Sequence, residues 1–185
     1  MFCEERVAQI AAYLLSKEGG RMAYLKLMKL MYLSDRLSMD RFGEPLTGDL
    51  MVAMPHGPVL SRSLDLMKGA ARGDEGWNNW ITDADHYELQ LQKREIQRDD
   101  LDELSDADLS VIDRVYQDFG HMGKWQIRDY THDHCAEWCD PKGGAFTINP
   151  ESVFRALGKP EEQVRHLSDR MREFSELDRI ASGLK

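Results

Sequence analysis

The sequence predicts an α+β fold dominated by helix, with a small antiparallel sheet or hairpin. Three observations point there. Long segments repeat apolar residues every three and four positions, only two short stretches alternate apolar with polar, and no tract separates two cores. At 185 residues the chain fits one domain around a single continuous core. The expected division is a domain over 1–158 and a C-terminal helix over 159–185, packed on the domain or used for partner contact.

The first helix is expected from Glu4 to Lys17, with Val7, Ile10, Ala11 and Leu14 on one face and Gly19-Gly20 as its stop. The second, Met22 to Met39, carries Leu25, Leu27, Met28, Leu30, Met31, Leu33 and Leu37. That stripe is too wide to be covered from one side, so this is the central core helix. Gly43 suits a left-handed cap behind it. From Leu46 to Met54, the alternation of Leu50, Val52 and Met54 predicts a half-buried strand, and Pro55-His56-Gly57-Pro58 is expected to end any regular ladder. A short helix follows over Val59 to Gly69. The stretch from Ala70 to Asn79 reads as a loop with a mobile tip.

Tyr87, Leu89 and Leu91 predict a second strand, expected to pair near Ile96 or Leu101. Ser105, with Asp108 three residues on, forms a capping-box variant before a helix over Asp106 to Phe119 that Gly120 ends. Further helices are expected over Lys124 to His134, from Asn149-Pro150 to near Gly158, and from Pro160 to about Ile180. The last has Val164, Leu167, Met171 and Phe174 on a narrow seam, which suits packing on its own domain better than a partner or self-association helix.

Composition excludes several classes of function. No apolar run approaches the length of a membrane span, and the N-terminus Met1-Phe2-Cys3-Glu4-Glu5-Arg6 has acids where a secretory signal has bases. Cys3, Cys135 and Cys139 lack the spacing of a disulfide framework. A cytoplasmic address is therefore expected. The formal net charge of −9 disfavours nucleic acid as a partner, because counterion release needs clustered Lys and Arg. Between Asp99 and Asp113 there are seven acids and no bases, which suits a solvated face or a landing site for a basic protein.

The constellations that could carry chemistry are weak. His132, His134, Cys135 and Cys139 are zinc-ligand types within eight residues. On a helix, 132, 135 and 139 share a face while 134 points elsewhere, and structural zinc sites usually join two separated pairs, so no metal is expected. Neither Cys135 nor Cys139 is marked as an activated nucleophile for His56. Gly19-Gly20 and Gly143-Gly144 lack the flanking pattern of a phosphate loop, and no cofactor is expected. His56, between Pro55 and Gly57-Pro58, is presented from a stiff turn, and locking that turn suits it better than proton transfer.

Three motifs occur in order: Leu27-Met28-Lys29-Leu30-Met31-Tyr32-Leu33-Ser34-Asp35-Arg36, then Gly43-Glu44-Pro45-Leu46-Thr47-Gly48-Asp49, then Val52-Ala53-Met54-Pro55-His56-Gly57-Pro58-Val59. Together they resemble the Panacea, or SocA-like, antitoxin domain. Leu104-Ser105, Thr131-His132 and Trp138 resemble its end, so the likeness covers about Ala8 to Trp138.

The resemblance implies a mostly helical domain with a small sheet, no catalytic activity of its own, and a toxin partner encoded nearby that it binds and neutralises. Some members of the family also deliver the toxin to the ClpXP protease. Candidate contact residues are Tyr32, Asp35, Arg36 and His56, which could equally hold the central helix to the turn. Asp100, Asp102 and Glu103 of the acidic run join them as candidates for attracting the partner. A DNA-binding regulator and a small metal-dependent hydrolase are the alternatives, and the acidic helix after Ser105 counts against the first.

Overall fold

The computed structural model describes residues 2–70, 76–93 and 95–183. The fold is mainly helical with two small antiparallel sheets. Helix α1 (Glu4–Lys17) has the expected bounds, and its apolar face, including Val7, Ile10, Ala11 and Leu14, is fully buried. Helix α2 (Tyr24–Phe42) is the central element. It packs against α1 and against α5 (Asp106–Phe119), α6 (Lys124–His134) and the strand β3 (Gly57–Leu60). Such wide coverage is what its apolar stripe requires.

Helix α2 begins later than its pattern suggested, because Arg21–Ala23 is a strand, β1. The residues after Gly19-Gly20 extend to pair with a distant strand, an interaction that local periodicity does not reveal. At the other end Gly43 takes φ +79 and its N–H donates to the Met39 carbonyl. A Cβ there would lie 2.6 Å from Leu167, so the position needs glycine for both its left-handed backbone and the helix that crosses it.

Two further corrections concern the middle motif. Strand β2 covers only Met51–Met54, and its inward face is Met51 and Ala53, so Leu50 stands 52% exposed. A one-residue shift of register exchanges the two faces of a strand, and the sequence alternates too weakly to set it. Nor does Pro55-His56-Gly57-Pro58 end the ladder. It turns β2 back into β3 with Ala53 opposite Pro58, so helix α3 (Ser61–Met67) starts two residues later than expected. Proline is tolerated because β3 is an edge strand, in the order β3-β2-β6 with β6 at Phe146–Thr147.

The other sheet has the order β1-β5-β4, where β4 is Ile81–Ala84 and β5 is Glu88–Leu91. Strand β5 therefore pairs with β1 and β4, and not with the residues near Ile96 or Leu101. In the expected loop after Ala70, residues 71–75 lie outside the described residues, and Trp77–Trp80 forms a short helix, α4.

Helices α5 and α6 have the expected bounds, and the Ser105–Asp108 capping box is present. Helix α7 (Pro150–Ala156) starts with proline in its first turn, although Asn149 makes no side-chain cap. Helix α8 (Glu161–Gly183) packs on α7. Its seam begins buried at Val164, is half-buried at Leu167 and Met171, and is 54% exposed at Phe174. Among the described residues no helix is long and apolar enough to cross a membrane.

Candidate functional site

The three sequence motifs meet at one place, where α2 faces the β2–β3 hairpin and the segment after α6. Lys29, Tyr32 and Arg36 follow at spacings of three and four, so one face of α2 carries them all. Lys29 is fully buried, and its Nζ donates to the Pro58 carbonyl at 2.7 Å. Burial moves the Lys29 amine down to about 7, with Arg128 pushing the same way.

Gly57 explains the shape of the turn. Its φ is +92, and a Cβ would lie 2.8 Å from Lys29 Nζ and 2.9 Å from the His132 ring. The hairpin therefore seats directly on a lysine and a histidine, with room for nothing larger than hydrogen. His132 stacks flat on Trp138 at 4.2 Å between ring centres, and Trp138 Nε1 donates to the Met54 carbonyl at 3.0 Å. The buried His132 Nε2 has no hydrogen-bond partner among the described residues. Burial, then Lys29 and Arg128, hold the His132 imidazole below its ordinary range.

One turn along α2, Tyr32 Oη donates to Glu137 Oε1 at 2.8 Å, and Arg36 Nε donates to the same oxygen at 2.8 Å. Arg36 Nη2 adds a longer bond to Oε2 at 3.4 Å. Burial, reinforced by Glu137, raises the Tyr32 hydroxyl well above its usual value, so it stays protonated as a donor. Asp35, also fully buried, accepts from the Thr47 N–H at 2.9 Å and the Thr47 hydroxyl at 2.5 Å. Burial pushes its carboxyl up to about 7 against those two bonds. Asp49 closes the middle motif by accepting from the N–H groups of Leu50, Arg62 and Ser63 and from the Ser63 hydroxyl.

A model of the family described as antitoxin SocA-like, Panacea domain, matches residues 27–139. The chain belongs to this family. No curated protein and no solved structure matches it. The matched span begins on α2 and ends just past Trp138, so the polar layer beneath the hairpin lies wholly inside the Panacea domain. Membership of an antitoxin family implies a toxin partner in general.

The candidate contact residues fall into two groups. Tyr32 and Asp35 are enclosed and Arg36 is half-buried, so in this conformation Tyr32 and Arg36 hold α2 to Glu137 in the segment after α6, and Asp35 holds it to Thr47 in the loop before β2. His56 is exposed at the tip of the turn. Asp102 and Glu103 are exposed and Asp100 is half-buried, well away in sequence from the hairpin. The acidic run is partly balanced from within: Asp100 pairs with Lys93, Asp106 with Arg98, Asp108 with Arg6 and Asp113 with Lys17.

The four zinc-ligand types do not converge. His132 stacks on Trp138, His134 lies tilted against Tyr130, Cys135 is buried and Cys139 is exposed. Among the described residues no group of three or more His, Cys, Asp or Glu is placed to hold a metal. Burial, followed by Glu137, pushes the Cys135 thiol up to about 12, which leaves it without nucleophilic thiolate near neutral pH.

Sequence reasoning missed Lys29, Glu137 and the second role of Gly57. For Lys29 a signal was present: a lysine in the middle of a stripe buried on several sides must be desolvated and bonded. Glu137 carried none, because its partners are about a hundred residues away.

Proposed function

We propose that this chain is the antitoxin of a bacterial or phage toxin–antitoxin pair, neutralising a toxin encoded nearby by direct binding in the cytoplasm. It has no catalytic activity and uses no cofactor. Delivery of the toxin to ClpXP is a narrower form of the same reading. The observation that carries the proposal is the family match over 27–139, whose three motifs are joined by the bonds of Lys29 to Pro58 and of Thr47 to Asp35. In this reading the domain extends over 1–158, and the C-terminal segment from 159 on packs on it or serves partner contact.

His56 is the contact residue at the hairpin tip, with Arg36 at the edge of the layer. Tyr32 and Asp35 act from beneath by holding α2 to Glu137 and to the loop before β2. Asp100, Asp102 and Glu103 attract a basic toxin from a distance and act mainly on the association rate, while packed contacts govern dissociation.

Coexpression with the product of the adjacent open reading frame tests this directly. Growth is expected to be rescued through a complex that survives size-exclusion chromatography. A harmless neighbour, or rescue that persists when the two proteins cannot associate, rejects the proposal. Reversing Asp100, Asp102 and Glu103 to Lys is expected to slow association several-fold at low salt and to leave dissociation nearly unchanged. His56→Ala is expected to do the reverse.

A further inference from the structure

Outside the matched span, α8 builds one wall of an open groove whose other wall is the loop before β2 and the segment entering α7. Its volume is about 850 Å³, within the range of binding clefts. The apolar part of its lining includes Leu50, Met171 and Phe174, of which Leu50 and Phe174 are more than half exposed. Leu177 and Ile180 continue the same helix beyond it at 61% and 53% exposure.

Four arginines line this groove, Arg62, Arg170, Arg172 and Arg179, in a chain whose net charge is −9. The two acids of the lining are Glu44 and Asp49, and the carboxylate of Asp49 is already occupied by four hydrogen bonds from its own loop and α3. Arg62 lies over the Phe2 ring at 3.8 Å. Arg170 spends Nη2 on the Phe42 carbonyl at 3.0 Å, while its buried Nε has no hydrogen-bond partner among the described residues. Arg172 holds Glu151 at 2.7 Å and Asp169 at 3.0 Å, and Arg179 meets Glu176 at 3.5 Å. The pairs with Asp169 and Glu176 are exposed on both sides, while Glu151 is half-buried, and exchanging one carboxylate partner for another at the exposed pairs costs little.

We propose that this groove docks an acidic, amphipathic segment of a partner protein, its carboxylates on the arginines and its apolar side chains on Leu50 and Phe174. Charge complementarity selects the occupant: the groove is basic on an acidic molecule, so acids are attracted locally while the rest of the surface repels them and thereby orients approach. The exposed aliphatic residues Leu50, Leu177 and Ile180 favour a protein segment over nucleic acid, whose bases stack on aromatic rings and gain little from aliphatic side chains. The proposal does not depend on toxin neutralisation, which coexpression reads separately.

Fluorescence anisotropy of the whole chain tests it with a labelled helical peptide of about 16 residues, Leu and Phe on one face and Glu on the other. Its counterpart with Lys for every Glu and a DNA oligonucleotide serve as alternative probes. The acidic peptide is expected to bind, more weakly as salt rises, and the other two are not. Arg62→Glu with Arg179→Glu, both exposed, is expected to weaken binding by about tenfold or more. Leu50→Ser with Phe174→Ser provides a second, uncharged route to the same loss, and circular dichroism shows that each variant is folded. Equal binding of both peptides, preference for DNA, no binding of the acidic peptide, or self-association that buries Phe174 would overturn the proposal.

Discussion

Beneath the hairpin, a lysine, an aspartate, a tyrosine and a glutamate are enclosed and hydrogen-bonded, whereas along the end of α8 Phe174, Leu177 and Ile180 stand in solvent. The two regions invert the usual placement of polar and apolar groups, and they do so for different reasons. Buried polar groups that find all their partners specify one arrangement, because any slip leaves a desolvated charge behind. Exposed apolar groups specify nothing within the chain and are available to something outside it. The hairpin layer is thus a structural lock inside the family span, and α8 is a surface added beyond it.

Breaking the lock is expected to have the largest effect. Gly57→Val combines a φ of +92 with a collision at Lys29 and His132, and is expected to cost about 4 kcal/mol or to prevent folding. Chemical denaturation checks this, and a loss below about 1 kcal/mol would mean that the hairpin is not tightly seated. Next comes Glu137→Ala, which strands the Tyr32 hydroxyl and the Arg36 guanidinium together. A loss of about 3 kcal/mol is expected, with Tyr32→Phe costing less because it leaves the Arg36–Glu137 pair intact.

Acidity separates the two regions, because among the described residues the lock, and not α8, holds buried ionisable groups with displaced affinities. Asp35 in the folded chain lies at about 7, above its unfolded value, so between about pH 4 and 7 the folded state holds a proton that the unfolded state has released. Its contribution is fully present below pH 4 and is lost as pH rises through 7. Relative to Asp35→Asn, the parent is expected to lose about 2 kcal/mol or more across that window. Lys29 is displaced downwards to about 7, so the opposite trend, a gain from pH 7 towards 10, is expected against Lys29→Met. Parallel melting curves for parent and variants would show that neither group is held as described. The smallest effect is expected at the other region: Phe174→Ser is expected to change stability by no more than about 0.5 kcal/mol, since its side chain is largely solvated already.

Local pattern determined much of this protein. Helices α1 and α5 end where their caps and periodicities place them, since a capping box or a terminal glycine acts within a few residues and needs no distant partner, and α6 has the bounds expected of it. The central role of α2, the left-handed Gly43 and the three ordered motifs were also legible. The strand pairings, by contrast, arise from the assembled fold. Nothing near Arg21–Ala23 indicates that its partner is Glu88–Leu91, and nothing in Leu50 to Met54 indicates which face turns inward. The same holds for the candidate site: Tyr32 and Arg36 converge on Glu137, and Gly57 sits on Lys29 and His132, across separations that sequence spacing does not encode. A side chain's neighbours along the chain limit its conformation, but its burial and its hydrogen-bond partners come from whichever segments the core brings beside it.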